Sequence, residues 1–557
     1  MEYKQQLPEP ATTRVRIKPR IIIHGGAGNI RRKGYPPGKY EEYRHALLTI
    51  VRNTDAFMNG DAGRDTSEEK KRLMHQQRQQ HGPTALDIAT HAVVQLEDCP
   101  LFNAGHGAVF TRDGINQLEA SVMVSRGRAK RGVGVSGLRR VRNPILLAKA
   151  MLERGDADLG GAGAGRPSSF LPGRDASGEE RRRLEGEAHR TDEEEHGERG
   201  DDDGGDDDDG DDDDDLDVPS AQGHTMLWGR AAEQLARKYG LDMVDPSYYF
   251  TQQRWDEHIR ALEREKQQQQ QHRGSSAYCS QTTAMVTATW SADEYLPQGT
   301  CGAVALDDRG VICAATSTGG MTNKLTGRIG DTPVPGAGFW AEEWEEEVTS
   351  GSSKSMWDRA ADAVANTTAG ITLAGPLKGL LADCLPTPFL YTPVPPVVPF
   401  THNDYDDGAH SPHRRNDYSN DNSNNNSNIV ATRSTGLSGT GNGDSFLRIA
   451  AAHTVACLAR LRPLPASRAL AAVAGPGGDL QRSAGTRWGR GAGEGEGGII
   501  GVECALCRDA TTGELLAARS EVVMGYNCGG MYRAWIDDRG EAVMSVWTDG
   551  APDEDWP

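Results

Sequence analysis

The sequence predicts an α+β protein whose helices and strands form separate layers. Helical patterns dominate the residues before Thr300, and short apolar runs separated by turn residues dominate those after it. Such segregation favours a layered α+β sandwich, because a doubly wound sheet requires helices and strands to alternate. In addition, only 36% of the 557 residues are hydrophobic and 67 are glycine. Part of the chain is therefore expected to lie outside any packed core.

Several stretches lack apolar periodicity, so that burial cannot offset the entropy of ordering them. We expect disorder or insertion at residues 156–222, 266–276, 350–428 and 485–498. The first stretch holds most of the net charge of −19, because residues 192–217 carry 18 acidic side chains against one arginine. The remainder is nearly neutral, which disfavours a nucleic-acid partner.

The first elements are a strand and three helices. Residues 20–23 form a β-branched run before a glycine-rich turn, which is typical of a strand. Thr84 and Asp87 form a capping box, which opens a helix predicted over 84–98. Asn143 and Pro144 are typical of the start of a second helix, expected to reach Glu153. A third helix is predicted over 229–239.

After Thr300 the pattern changes to strands. Residues 301–306 and 311–316 are short and apolar, and the residues between them, Asp307-Asp308-Arg309-Gly310, suit a hairpin turn. A long apolar helix is then predicted over 444–461. Two late strands are predicted over 521–526 and 542–547.

Unusual residue combinations cluster around Thr300. They occupy residues 299–307 (GTCGAVALD), 315–324 (ATSTGGMTNK) and 327–333 (GRIGDTP). Others stand at residues 22–28 (IIHGGAG), 100–111 (PLFNAGHGAVFT), 143–148 (NPILLA) and 439–444 (GTGNGD). Taken in their order along the chain, these segments resemble the plant-type asparaginase and isoaspartyl peptidase family of N-terminal-nucleophile hydrolases. The resemblance implies a four-layer αββα sandwich, cut between Gly299 and Thr300 into an α-subunit (1–299) and a β-subunit (300–557) of a single domain.

Thr300 corresponds to the nucleophile of that family, and its chemistry suits the role. A threonine hydroxyl needs an adjacent base, and an N-terminal threonine supplies its own α-amino group, with an ordinary pKa of about 8. That amine exists only after the bond before Thr300 breaks. Gly299 has no side chain, so the Thr300 oxygen can approach its carbonyl. Taken alone, this dipeptide would be a strand start after a turn, but the further motifs favour the nucleophile.

The resemblance implies roles for further residues. Thr318 would hydrogen-bond at the nucleophile, the alternative being an ordinary threonine-rich strand end. Arg328 and Asp331 would bind the α-carboxylate and α-ammonium of a free aspartyl group, the alternative being a surface ion pair. The remaining assignments are Thr440 and Gly441 for the oxyanion, and Gly443 and Asn103 for the substrate. Glycines before a helix expose N–H groups to an anion, but residues 439–443 lack the spacing of a dinucleotide loop.

The resemblance implies no catalytic metal and no cofactor, but it suggests a structural Na⁺ bound by backbone carbonyl groups. The residues concerned are Leu96, Glu97, Asp98, Cys99, Phe102, Ala104 and His106. Departures from the family pattern include Cys301 in place of valine and a missing Asp-Gly after Met123. None of them removes a catalytic atom.

The expected activity is hydrolysis of L-asparagine to aspartate and ammonia, and of β-aspartyl dipeptides, through a Thr300 acyl-enzyme. The resemblance implies an (αβ)₂ homodimer. Three alternatives remain: an endopeptidase similar to threonine aspartase, a glycosylasparaginase, and a non-catalytic scaffold. The sequence contains no run of about 18 apolar residues and no apolar segment near its start, so we expect a cytoplasmic protein without membrane contact.

Overall fold

The computed structural model describes residues 15–33, 35–60, 82–127, 131–158, 217–274, 299–346, 429–462, 464–489 and 493–547. Of the first predicted insertion (156–222), residues 159–216 lie outside the described residues, as does the whole of the predicted insertion at 350–428. The described part combines helices with two β-sheets, which confirms the α+β class.

The larger sheet has eight strands. They are β1 (Arg20–Gly28), β2 (Leu118–Val124), β3 (Gly132–Leu138), β4 (Met226–Trp228), β5 (Cys301–Leu306), β6 (Ile312–Thr318), β11 (Gly530–Ile536) and β12 (Ala542–Ser545). Their order is β12-β11-β1-β5-β6-β2-β3-β4. Neighbours pair antiparallel except β3 and β4. The β5–β6 hairpin, which the sequence predicts, therefore lies near the middle of this sheet.

The smaller sheet has four strands, in the order β10-β9-β8-β7, and all of its pairs are antiparallel. The strands are β7 (Phe339–Glu346), β8 (Ile429–Gly441), β9 (Gly497–Asp509) and β10 (Leu515–Tyr526). The predicted strand over 521–526 is part of β10. Residues 542–545 of the other predicted late strand form β12.

The helices are α1 (Pro37–Met58), α2 (Ala85–Glu97), α3 (Pro144–Asp158), α4 (Gly229–Lys238), α5 (Gln252–Gly274), α6 (Gly443–Ile449), α7 (Ala451–Leu461), α8 (Ala466–Ala474) and α9 (Asp479–Ser483). The predicted capping box opens α2, since the Asp87 N–H donates to Thr84 Oγ1 (3.1 Å) and the Thr84 N–H to Asp87 Oδ2 (3.2 Å). None of the helices in the described ranges is long and apolar enough to cross a bilayer.

Three clusters of buried apolar side chains connect these elements. The first lies between α1–α4 and the eight-stranded sheet, and includes Leu47, Leu96, Val122, Met151, Leu235 and Ala303. The second joins the two sheets through Val304, Ile312, Phe339 and Ile500. The third packs α7 and α8 on the smaller sheet through Leu437, Val455, Leu470 and Ile499. Ala303 and Val304 contribute to different clusters because successive side chains of a strand point to opposite faces.

Three of the predicted segments have different bounds in the structure. Helix α5 continues to Gly274 and includes the whole glutamine run (267–271), because glutamine is a good helix former once a packed segment has nucleated the helix. Helix α3 passes its predicted end and reaches Asp158. Within 485–498, a 3₁₀ turn forms at Gly485–Arg487 and β9 begins at Gly497, which pairs with Gly441.

The helix predicted over 444–461 is broken into α6 and α7. Ala450 adopts a left-handed conformation with φ +46° between them. The break turns the first N–H groups of α7 towards the turn before β7. There the N–H groups of Ala452 and His453 donate to the carbonyls of Ala337 (3.1 Å) and Gly336 (2.9 Å). Tertiary contacts thus replace two bonds of a continuous helix.

Candidate active site

The central hairpin brings Thr300 and Thr318 side by side. Cys301 pairs with Ser317, and extending this antiparallel register by one residue places Thr300 next to Thr318. Both threonines are buried, with exposed fractions of 6% and 2%. The start of β5 and the end of β6 therefore carry adjacent hydroxyl groups at one edge of the core.

The hairpin turn fixes this register. The buried carboxylate of Asp307 accepts hydrogen bonds from the N–H groups of Arg309 (3.0 Å) and Val311 (2.9 Å) across the turn. It also accepts one from the Ala85 N–H (3.1 Å), at the first turn of α2. A helix N-terminus favours a negative charge, so this contact ties the hairpin to the helical side of the sheet.

The nearest hydroxyl partner of Thr300 is Thr332. The two Oγ1 atoms lie 3.2 Å apart, whereas Thr318 Oγ1 accepts from the Gly320 N–H at 3.0 Å. Among the described residues, the side chains of Thr300 and Thr318 form no hydrogen bond with each other. Sequence reasoning missed Thr332, although it directly follows Asp331 in the GRIGDTP segment.

Gly299 and Thr440 meet on the other side of the Thr300 peptide bond. A Cβ atom at Gly299 would lie 2.5 Å from Gly26 Cα and would also overlap Ala27 N and Thr440 Oγ1, so only glycine fits. Thr440 is fully buried near the end of β8, and its Oγ1 has no hydrogen-bond partner within the described part of the chain. A hydroxyl donor is therefore available beside the peptide group that precedes Thr300.

Gly441, next to Thr440, has φ +147°, a conformation that L side chains rarely adopt. A Cβ atom there would also overlap Glu496 O and Gly497 Cα. Glycine is thus required where β8 ends against β9, directly after Thr440.

Arg328, Asp331 and Gly443 converge at the start of α6. A Cβ atom at Gly443 would lie 2.6 Å from Asp331 Oδ1 and 3.1 Å from Arg328 Nη2. Arg328 Nη2 donates to Asp444 Oδ1 at 3.0 Å, and the Asp444 side chain is 63% exposed. Within the described part of the chain, Arg328 and Asp331 form no direct salt bridge. The guanidinium therefore pairs with an exposed carboxylate at the edge of the site.

Asp331 is an unusual carboxylate. It is 4% exposed, and its Oδ2 has no hydrogen-bond partner among the residues that the structure describes. Burial raises the pKa of this carboxyl to about 7, although the positive charge of Arg328 lowers it. A ligand ammonium group would satisfy Oδ2 and restore the charged form.

Asn103 supports the turn that follows Thr318. Its Nδ2 donates to the Gly320 carbonyl at 2.7 Å, and its Oδ1 accepts from the Val109 N–H at 3.0 Å. The Gly319 N–H donates to the Asn103 carbonyl at 3.0 Å. These bonds hold the loop at residues 102–109 against the end of β6. The predicted substrate contact of Asn103 stays a prediction.

A buried polar network lies beside β5. His24 Nε2 is 2.8 Å from Ser438 Oγ, which is 3.1 Å from Thr316 Oγ1. Gly302 makes room for the network, because a Cβ atom there would lie 2.5 Å from His24 Nε2. Burial lowers the pKa of His24 to about 3, so the ring is neutral. In the sequence, His24 stands out only as part of the strand motif at residues 22–28.

The residues predicted to bind Na⁺ form a compact turn after α2. The Pro100 and Phe102 carbonyls lie against Gly107, where a Cβ atom would be 2.6 Å from Pro100 O and would overlap Phe102 O. Carbonyl oxygens suit a hard cation, and the Na⁺ stays a prediction. The described residues contain no group of three or more His, Cys, Asp and Glu side chains that could bind a metal.

Comparisons with known proteins agree with the resemblance. Residues 73–169 and 217–371 match the model of a family described as Asparaginase. Isoaspartyl peptidase of Escherichia coli strain K12 is 29% identical over 340 residues, which cover 61% of this chain and 73% of that protein. Putative isoaspartyl peptidase/L-asparaginase of Dictyostelium discoideum is 29% identical over 335 residues (58% and 70%).

A third relative comes from another group of organisms. Plant-type L-asparaginase of Pyrococcus furiosus is 28% identical over 325 residues, which cover 58% of this chain and 70% of that protein. The family match includes Thr300, Thr318, Arg328 and Asp331, and it ends before Thr440.

Proposed function

This chain belongs to the family of asparaginases and isoaspartyl peptidases, and we propose that it is a self-cleaving threonine amidohydrolase. The proposal rests mainly on the groups that surround the Gly299–Thr300 bond. The Thr332 hydroxyl contacts the Thr300 hydroxyl on one side. The Thr440 hydroxyl, which has no hydrogen-bond partner among the described residues, lies against Gly299 on the other.

Self-cleavage begins when Thr300 Oγ1 adds to the carbonyl carbon of Gly299. The C–N bond between the two residues then breaks, and the proton of the hydroxyl goes to the departing nitrogen, which becomes the α-amine of Thr300. Water hydrolyses the resulting ester to a Gly299 carboxylate and restores the hydroxyl. The Thr440 hydroxyl is suited to donate to the oxyanion, and removing one such donor commonly costs about 10² to 10³ in rate.

Hydrolysis of substrate uses the same hydroxyl with its new base. The α-amine takes the proton of Thr300 Oγ1 as the oxygen attacks the side-chain carbonyl of asparagine or of a β-aspartyl dipeptide. Ammonia or the second amino acid leaves with that proton, and water resolves the acyl-enzyme to aspartate. Asp331 Oδ2 accepts from the substrate α-ammonium, and the guanidinium of Arg328 pairs with its α-carboxylate.

The proposal extends to the whole molecule. The three apolar clusters support a four-layer αββα arrangement, with a helical layer outside each sheet. The cysteines of the described residues are all free thiols, which supports a reducing, cytoplasmic location. Two processed protomers would form the (αβ)₂ homodimer, and the mass of the purified protein in solution tests this assembly.

Four substrates test the activity and separate it from its alternatives. They are L-asparagine, a β-aspartyl dipeptide with free α-groups, a peptide with an internal α-aspartyl bond, and N-acetylglucosaminyl-asparagine. We expect aspartate from the first two, and no hydrolysis by Thr300→Ala, which keeps the fold but lacks the nucleophile. Cleavage of the internal α-aspartyl bond alone would instead identify an endopeptidase. Hydrolysis of the glycosylated asparagine alone would identify a glycosylasparaginase.

A further inference from the structure

Strand β2 and the residue before it present three polar side chains in alternation to one face of the sheet. Gln117 directly precedes the strand, and Glu119 and Ser121 lie within it. The intervening residues Leu118, Ala120 and Val122 point into the first apolar cluster, as the two-residue period of a strand requires. Gln117, Glu119 and Ser121 are 5%, 1% and 0% exposed. Buried polar groups in such a row need partners.

Each of the three side chains bonds one backbone group of the loop 327–332. Gln117 Oε1 accepts from the Gly327 N–H at 2.7 Å. Glu119 Oε1 accepts from the Gly330 N–H at 3.0 Å. Ser121 Oγ donates to the Thr332 carbonyl at 2.7 Å.

This loop contains the residues that the proposed reaction needs. Gly330 lies between Arg328 and Asp331, and a Cβ atom there would be 3.1 Å from Glu119 Oε2, so that glycine permits the close approach. Thr332 contacts the nucleophile through its hydroxyl. The buried Lys324 precedes the loop and donates from Nζ to the Gln117 carbonyl at 2.9 Å. One strand therefore holds the binding residues and the partner of the nucleophile.

We propose that Gln117, Glu119 and Ser121 are positioning residues that set the substrate-binding loop against the nucleophile. The proposal rests on the proposed function. Glu119 and Ser121 act on different steps. Glu119 holds the backbone between the two residues that bind the α-groups, so it governs substrate affinity. Ser121 holds Thr332, so it governs the placement of the Thr300 hydroxyl in self-cleavage and turnover.

Kinetics of matched variants test this division. Glu119→Met keeps the length of the side chain and removes its acceptor, and we expect KM for L-asparagine to rise about tenfold or more with kcat within about threefold. Glu119→Gln retains an acceptor oxygen and should restore KM to within about threefold of the wild-type value. Gln117→Met should raise KM in the same direction. Ser121→Ala should instead lower kcat and the rate of self-cleavage about tenfold, because small misplacements of reacting groups are costly.

Ser125→Ala is the matched control. Ser125 Oγ accepts from the Ile312 N–H at 3.0 Å, so this variant also loses a buried side chain to backbone bond, but one outside the loop. We expect a lower melting temperature with unchanged KM and kcat. Equal effects of Ser125→Ala and Ser121→Ala on kcat would overturn the positioning role, as would a wild-type KM in both Glu119→Met and Gln117→Met.

Calorimetric titration with L-aspartate separates this inference from the proposed function, because product binding needs no turnover. We expect the Kd to rise about tenfold in Glu119→Met and to stay unchanged in Ser125→Ala. A wild-type enzyme that hydrolyses asparagine while all variants retain its KM and Kd overturns the positioning role alone. A wild-type protein that neither hydrolyses asparagine nor binds aspartate overturns both proposals.

Discussion

At the residue scale, hydroxyl groups surround the bond before Thr300. Thr332 Oγ1 lies 3.2 Å from Oγ1 of Thr300, the proposed nucleophile, and the Thr332 carbonyl accepts from Ser121 Oγ at 2.7 Å. A hydroxyl held in this way has fewer orientations to lose before attack, and orientation is a large part of the barrier to a bimolecular step. Thr332 is therefore expected to promote both self-cleavage and hydrolysis.

Removing the Thr332 hydroxyl tests this expectation. Thr332→Val keeps the shape of the side chain, and we expect the first-order rate of self-cleavage to fall roughly two- to tenfold, the value of one ordinary hydrogen bond. Thr332→Ser, which retains the hydroxyl, should cleave at close to the wild-type rate. Pulse-labelled precursor followed by denaturing electrophoresis gives these rates. Equal slowing in both variants would point to packing by the threonine methyl group instead.

The buried carboxyl of Asp331 predicts a dependence of stability on pH. Burial raises its folded-state pKa to about 7, above the unfolded value of about 3.9. The folded state thus favours the protonated form, and stability from this group is present below pH 4 and is lost as the pH rises to 7. Asp331→Asn should therefore unfold at a higher temperature than the wild type at pH 8, with little difference near pH 4. A difference in melting temperature between the two proteins that is the same at every pH would contradict this assignment.

At the element scale, local patterns predicted the elements whose causes are local. The capping box of Thr84 and Asp87 and the turn at Asp307 act within four residues, and both formed as expected. The helix over 444–461 breaks at Ala450 because of bonds to Gly336 and Ala337, more than a hundred residues earlier. No local pattern carries that information.

The left-handed Ala450 gives a direct test of this break. An L residue with φ +46° costs roughly 1 kcal/mol relative to glycine. Ala450→Gly is therefore expected to stabilise the protein by about this amount, whereas Ala456→Gly in the interior of α7 should destabilise it by about 1 kcal/mol. Denaturant unfolding of both variants measures the two signs. Destabilisation by both substitutions would mean that the two helices are continuous in solution.

The distinction between local and long-range causes also applies to the candidate site. Thr300, Arg328, Asp331 and Thr440 stand in short segments that resemble a family, and the sequence alone singled them out. Glu119 and Thr332 were missed because their roles depend on β2 lying beside β6 and under the loop 327–332. Strand order between distant segments sets these contacts, and no spacing in the sequence encodes it.

At the scale of the whole molecule, the proposed cut would leave two interlocked fragments. Strand β1, before the cut, pairs with β5 and β11, which follow it. Strand β2, also before the cut, pairs with β6 after it. Each fragment thus supplies inner strands to the same sheet, and both share the first apolar cluster. The fragments are expected to stay associated through purification and to separate only on denaturation.

The most direct test of the account is the intact mass of the purified, denatured protein, with N-terminal sequencing of its fragments. We predict two species that correspond to residues 1–299 and 300–557, the smaller beginning Thr-Cys-Gly-Ala, and a single uncut species for Thr300→Ala. A wild-type chain that stays whole after long incubation, or one cut at another bond, would contradict the assignment of Thr300 as the self-generated nucleophile.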